Sequence, residues 1–211
     1  MSIGTPFLWY QCAFDITESW NRYYICCIID KENILASAKK TIALEATAIK
    51  NLEKLLTESF TEAVKCVHES KGRLIVSGIG KSANIAQKLV ATFNSTGTPA
   101  IFMHAADAIH GDLGMMQTDD VSILISKSGE SEEVKVLIPL IKNFGNNIIA
   151  LCGNENSFLA KQSDFFINCT VSEEACPNNL APTSSTTAQL VMGDALAVAL
   201  LELKGFGPED F

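Results

Sequence analysis

Five short apolar runs rich in Val, Ile and Leu alternate with segments of helical period. That alternation predicts an α/β three-layer sandwich, a five-stranded parallel sheet flanked by helices on both faces. The runs are continuously apolar rather than alternating, as strands buried on both faces are. The 211 residues, 47% hydrophobic and 19% charged, suffice for one well-buried domain and are not the composition of a disordered chain.

The elements follow in order. Met1 to Asp30 is aromatic-rich (Phe7, Trp9, Tyr10, Phe14, Trp20, Tyr23, Tyr24) without a clean period. It reads as an N-terminal extension, 1–33, ahead of a domain over 34–211. An arm docking on a partner subunit and an upstream extension from a misplaced start both fit it. From Ile34, an apolar stripe of Leu35, Ala38, Ile42, Leu44, Ala48, Ile49, Leu52, Leu55 and Leu56 has Lys and Glu between its members, as an amphipathic helix does. A second helix spans Ser59 to Glu69, closed by Lys71-Gly72. Strands are expected at Arg73–Ser77, Ala100–His104, Val121–Ile125, Asn147–Leu151 and Phe165–Cys169. Helices Ala83–Asn94, Glu132–Asn143 and Ser157–Gln162 separate most of them. A last helix runs from about Ser185 to Lys204, with Ser184 or Ser185 a natural N-cap and Gly205 beyond its end.

Composition narrows the function. Net charge is −8 and no Lys/Arg-rich block occurs, so neither nucleic acid nor an anionic membrane is an expected partner. An anionic substrate must be held by local groups. No basic n-region opens the chain, and the apolar stretch Ala188–Leu203, broken by Gly193, Asp194 and Glu202, reads as too short and interrupted to span a bilayer. Seven scattered cysteines without a C-x-x-C pair fit reduced thiols in a cytoplasmic protein, with Cys152 and Cys169 as small core residues. A mean hydropathy of +0.20 points to apolar surface beyond one core, hence a homo-oligomer.

Chemistry-bearing residues gather where strands hand over to helices, the edge at which open α/β sheets bind ligands. Ser126-Lys127-Ser128-Gly129-Glu130-Ser131 joins the third strand to a helix carrying Glu132 and Glu133. Its hydroxyls and the helix start suit a phosphate; they also suit an ordinary N-cap. Ser77-Gly78-Ile79-Gly80-Lys81-Ser82 follows the first strand. It is no Walker A loop, and the acidic ribose-binding residue of a dinucleotide fold is replaced by His104. Gly80 lets backbone approach a ligand, while Lys81 and Ser82 offer a charge and a hydroxyl. His104, Asp107, His110, Gly111 and Asp112 follow the second strand. The histidine spacing does not share a helical face, so acid–base use of His110 fits better than a metal site. Glu173-Glu174-Ala175-Cys176-Pro177 follows the last strand, and Thr183-Ser184-Ser185-Thr186-Thr187 opens the last helix. A carboxylate near a phosphate and an imidazole is what a proton-shuttling isomerase needs.

Together, Ser77 to Ser82, Thr92 to Pro99, His110-Gly111-Asp112-Leu113-Gly114-Met115, Ser126 to Ser131 and Glu174 to Asp194 resemble the sugar isomerase (SIS) domain, of flavodoxin-like fold. Within it they resemble the D-arabinose 5-phosphate isomerases. Glu174 to Pro177 with Leu180 to Thr187, and His110 to Gly114, are the specific parts. The resemblance covers about Ile34 to Phe211. It implies interconversion of arabinose 5-phosphate and ribulose 5-phosphate through an enediol, in synthesis of the acid sugar Kdo for lipopolysaccharide or capsule. It implies no metal or organic cofactor, and a dimer or tetramer with sites between subunits. Catalytic positions would be Lys81, His110, Glu133 and Glu174, with either glutamate as the base. Gly80, Ser82, Ser126, Ser128, Gly129, Ser131, Thr183 and Ser184 would hold the phosphorylated substrate. The family pattern runs on past the position of Phe211 into a His-Pro-Gly-Gly segment and, in many members, paired CBS domains. Lys127 stands where the family usually has a neutral residue, and Asp107 where it usually has glutamate. The alternative is a non-catalytic regulatory protein that binds a phosphosugar or CMP-Kdo; another SIS reaction is argued against by the Glu174 to Thr187 run.

Overall fold

The computed structural model describes residues 31–210, so the aromatic segment Met1 to Asp30 lies outside the described residues. The chain divides at Lys39 and Lys40 into a short N-terminal unit and a unit that carries the sheet. Helix α1 spans Lys31–Leu52, so the last three residues of the expected extension open it; α2 spans Glu58–Glu69. Then β1 (Leu74–Gly78), α3 (Lys81–Ser95), β2 (Ala100–His104), α4 (Ala105–Ile109), β3 (Val121–Ser126), α5 (Glu132–Asn143), β4 (Ile148–Cys152), α6 (Phe158–Gln162), β5 (Phe165–Asn168) and α7 (Ser184–Lys204) alternate. The short α4 and the 3-10 turn Asp112–Met115 were not expected from the sequence; four or five residues are too few to show a period.

All five strands are parallel, in the order β2-β1-β3-β4-β5. The order reverses between β1 and β3, which opens a crevice at their carboxyl ends. Every residue of β1, β3 and β4 is buried, as their unbroken apolar runs require. Alternate strand residues feed two cores. Leu74, Val76, Ile123, Ile125 and Leu151 pack with Phe93 and Leu89 of α3 and with Ala188, Met192, Leu196 and Leu200 of α7. Ile75, Leu124, Ile148 and Ala150 pack on the other face with Val134, Leu137, Ile138 and Ile141 of α5. These are the three expected layers.

Packing overrides local preference twice. Pro139 sits inside α5, at a cost of about 3 kcal/mol in a helix interior. The four buried aliphatic side chains of that helix each contribute about 1.5–3 kcal/mol, so the helix persists. Helix α7 is 21 residues long with a mean hydropathy of 1.3 over its most apolar stretch, which by length and composition alone is enough to cross a membrane. The helix is longer than the expected apolar stretch Ala188–Leu203 because the polar residues Ser184 to Thr187 form its first turn. In the fold, its apolar face is core: a Cβ on Gly193 would collide with the Leu89 side chain of α3.

At the amino ends of the strands, Arg73 clasps the buried Asp120. Its Nη2 is 2.8 Å from Oδ2, and the Arg73 and Gln117 amides donate to the same carboxylate. Burial alone would raise the Asp120 pKa, but these donors hold it below the usual carboxylate range. The clasp ties the start of β1 to the approach of β3 at this edge.

Candidate active site

Helix α3 starts at Lys81, two residues earlier than its apolar period, because Gly80 turns the chain with φ +57. This presents Lys81 and Ser82 at the carboxyl end of β1. Lys81 is exposed, while Ser82 donates from its hydroxyl to Oε1 of Gln189 on α7, at 3.3 Å.

Across the crevice, β3 runs into the loop Ser126–Ser131. Gly129 turns it with φ +68, and a Cβ there would collide with Ser157 Oγ. Ser126 Oγ accepts from the Gly129 amide at 3.0 Å, and Ser128 Oγ accepts from the Glu130 amide at 3.2 Å. Each hydroxyl keeps its own hydrogen to donate, and neither has an acceptor among the described residues. The N-cap of α5 is Ser131, not Ser128, and its side chain makes no cap bond; Ser131 Oγ is buried without a partner. Three O–H donors thus surround one helix start with nothing among the described residues to receive them. For Ser131, whose hydroxyl is buried, the missing partner costs about 1–3 kcal/mol, whereas Ser128 is exposed to solvent; the three donors together suit an acceptor from outside. The positive end of α5 adds to the attraction for an anion.

Glu174 lies on the segment between β5 and α7 and is 2% exposed. Its Oε1 is 2.6 Å from Lys127 Nζ and accepts from Ser185 Oγ at 2.5 Å. Its Oε2 accepts from the Thr183 amide (2.8 Å), the Thr183 hydroxyl (3.2 Å) and the Ser185 amide (3.1 Å). Thr183 is the N-cap residue of α7, and it is the distant Glu174 carboxylate, not the expected Ser184 or Ser185, that satisfies the helix start. Burial would push the Glu174 carboxyl up; Lys127 and the Ser185 and Thr183 donors outweigh it and hold the pKa at about 2. Ser184, fully buried, leaves its hydroxyl unpaired beside this knot in the sequence.

Two side-chain links therefore join three strand-end segments: Ser82–Gln189 and Lys127–Glu174. Between them lies a cleft of about 150 Å³, lined by Lys127, Ser128, Gly153, Ser185 and Gln189 among others. A larger open groove of about 810 Å³, lined in part by Asp119, Asn146 and Asn147, lies at the amino-end edge, away from these loops. Glu133, half-buried in the first turn of α5, has no hydrogen bond or ion pair among the described residues. His110 is exposed at the end of α4, and no contact ties its side chain or Lys81 to the Lys127–Glu174 pair. Among the described residues, no three His, Cys, Asp or Glu side chains are grouped to hold a metal ion.

Sequence reasoning missed Gln189 and the engagement of Lys127. Gln189 is 1% exposed in an otherwise apolar stretch of α7. A glutamine one residue after Ala188 and three before Met192, on the buried side of a helix, was the available signal. Asn179 was missed too: it has φ +53, and its Oδ1 accepts from the Glu174 amide at 2.8 Å.

Residues 67–199 match the SIS domain family. The chain belongs to the SIS-domain family. The SIS chain is 48% identical over 179 residues to arabinose 5-phosphate isomerase KdsD of Pseudomonas aeruginosa, covering 85% of this chain and 55% of that protein. It is 46% identical to arabinose 5-phosphate isomerase KpsF of Escherichia coli, covering 84% and 55%. The chain thus spans about half the length of the curated relatives it matches. Among solved structures, E. coli CFT073 c3406 in complex with arabinose 5-phosphate superposes with a TM-score of 0.83 at 40% identity, covering 86% of this SIS chain and 97% of that one.

Proposed function

We propose that this SIS domain interconverts D-arabinose 5-phosphate and D-ribulose 5-phosphate. The three serine hydroxyls left without acceptors at the start of α5 carry the reading, since they and the helix N-terminus match a phosphate. The names of the relatives and the arabinose 5-phosphate complex of the c3406 protein support the choice of sugar.

In this scheme Ser82, Ser126, Ser128 and Ser131, with Gly80 and Gly129 turning the backbone and Thr183 and Ser184 at the start of α7, form the phosphate and sugar site. A base removes the proton on C2 of the open-chain aldose, and the electron pair forms an enediol as the C1 carbonyl oxygen gains a proton. Return of a proton to C1 and loss of one from the C2 hydroxyl gives the ketose, with no net change in atoms or electrons. Glu133 is the base, because it is unpaired, whereas Glu174 has five donors and little basicity left. Lys81 stabilises the enediolate oxygen and His110 serves ring opening or proton transfer at oxygen. Glu174 contributes as a fixed carboxylate. No metal or organic cofactor takes part.

The protein is cytoplasmic, supplies Kdo synthesis, and works as a homo-oligomer with sites between subunits. Val198 and Leu203 on α7, about half exposed, offer apolar surface for that assembly. The test follows conversion of arabinose 5-phosphate by the purified chain, beside a version carried on through a His-Pro-Gly-Gly segment. Turnover by either supports the isomerase. Phosphosugar binding without turnover in both overturns it in favour of a binding protein.

A further inference from the structure

Lys127 is the one cation of the β3–α5 loop Ser126–Ser131, and the structure gives it two firm anchors. Its carbonyl accepts from the Gly153 amide at 3.2 Å, which pins its backbone to the end of β4. Its ammonium reaches over the cleft to Glu174 Oε1 at 2.6 Å, while its side chain stays 48% exposed. The segment from Glu174 to Thr183 is otherwise knit to itself and to α7: the Glu174 amide donates to Asn179, and the Ala175 amide to the Thr183 hydroxyl. Among the described residues, the ion pair is the side-chain link between this segment and the phosphate-facing loop.

We infer that Lys127 is a positioning residue, holding the Glu174 carboxylate so that the segment before α7 and the β3–α5 loop form one wall of the site. The inference rests on the proposed function for its catalytic consequence, though not for the pairing itself. Loss of Lys127 leaves a buried carboxylate with four neutral donors and no facing cation, which raises the cost of keeping it charged and loosens its hold on this pose. The other groups facing the carboxylate, Ser185 and Thr183, are neutral donors, and Lys127 is the charge set against it from any described element. The ammonium has three donors and spends one on Glu174, which leaves its exposed side for a bound anion.

The experiment compares the chain with Lys127→Met, Lys127→Arg and the double variant Lys127→Met/Glu174→Gln. Three readouts are taken: the ¹³C titration of the Glu174 carboxyl, amide exchange at Thr183 and Ser185, and kcat and KM for arabinose 5-phosphate. In Lys127→Met the Glu174 titration moves up by about one pH unit or more, and both amides exchange faster. There kcat falls more than KM rises, while Lys127→Arg restores all three. Should Lys127→Met fold poorly, the double variant, freed of the unpaired charge, recovers thermal stability. An unmoved titration with unchanged exchange overturns the inference, as does a double variant no more stable than Lys127→Met. A wild-type chain without turnover overturns the proposed function instead, and leaves titration and exchange to judge the pair.

Discussion

Glu174 and Glu133 show how two like residues in one motif set acquire opposite characters from their neighbours. Glu174 is saturated with donors and has a pKa of about 2; Glu133 is unpaired at the start of α5. Glu133→Gln therefore lowers kcat by about 10²- to 10⁴-fold, with the thermal midpoint unchanged within a degree or two. Glu174→Gln lowers the midpoint first, because its amide nitrogen then faces the Lys127 ammonium, a clash that the double variant with Lys127→Met removes. Circular-dichroism melts beside the kinetic assay separate the two. The folded pKa of Glu174 lies below its ordinary value of 4.5, so its stabilisation is fully present above about pH 4.5. It is lost as pH falls through about 2. Melting the wild type and Glu174→Gln between pH 7 and 2 gives midpoints that converge over that window. That Glu174 and Lys127 both follow strand ends was legible in the sequence; that they pair was not, since they lie far apart along the chain.

Helices α3 and α7 illustrate the same division at the level of elements. Their apolar periods gave their existence, and the structure moved the start of α3 from Ala83 to Lys81, where Gly80 sets the turn. β5 likewise ends at Asn168 rather than Cys169, because the chain leaves the ladder where no further strand residue pairs. Gly193 on α7 faces Leu89 of α3 so closely that a methyl group has no room, and Leu89 is fully buried. Gly193→Ala gains about 1 kcal/mol of helix propensity. Overpacking costs about 1–3 kcal/mol. The net outcome is destabilisation by up to about 2 kcal/mol, read as a lower urea midpoint. The composition of the Ser126–Ser131 loop suits either an anion or an ordinary N-cap, and it does not show which hydroxyls stay free. That depends on the turn at Gly129, which directs two amides onto Ser126 and Ser128 and leaves Ser131 unpaired.

The molecule as a whole keeps its two sheet edges for different purposes. At the amino ends, the Arg73–Asp120 clasp joins β1 to the approach of β3, with the Asp120 side chain out of water. Asp120→Ala strands the Arg73 and Gln117 donors and costs on the order of 3 kcal/mol, with KM for the sugar phosphate unaffected because the site lies at the far edge. A chemical denaturation curve and the KM check both halves. A net charge of −8 makes the carboxyl-end cradle a local exception, built from helix dipoles and hydroxyls rather than from basic surface. The layered parallel fold, the strand-end positions of the motifs and the family are all legible in the order of residues. They follow from apolar periodicity and short local patterns, which act over a turn or a strand. Folding in three dimensions was needed to show that Glu174 is the carboxylate that caps α7, that Lys127 holds it, that Gln189 anchors Ser82 and that Glu133 is left free. Each depends on which strand-end loops the order β2-β1-β3-β4-β5 places side by side, and that adjacency is a property of the folded sheet.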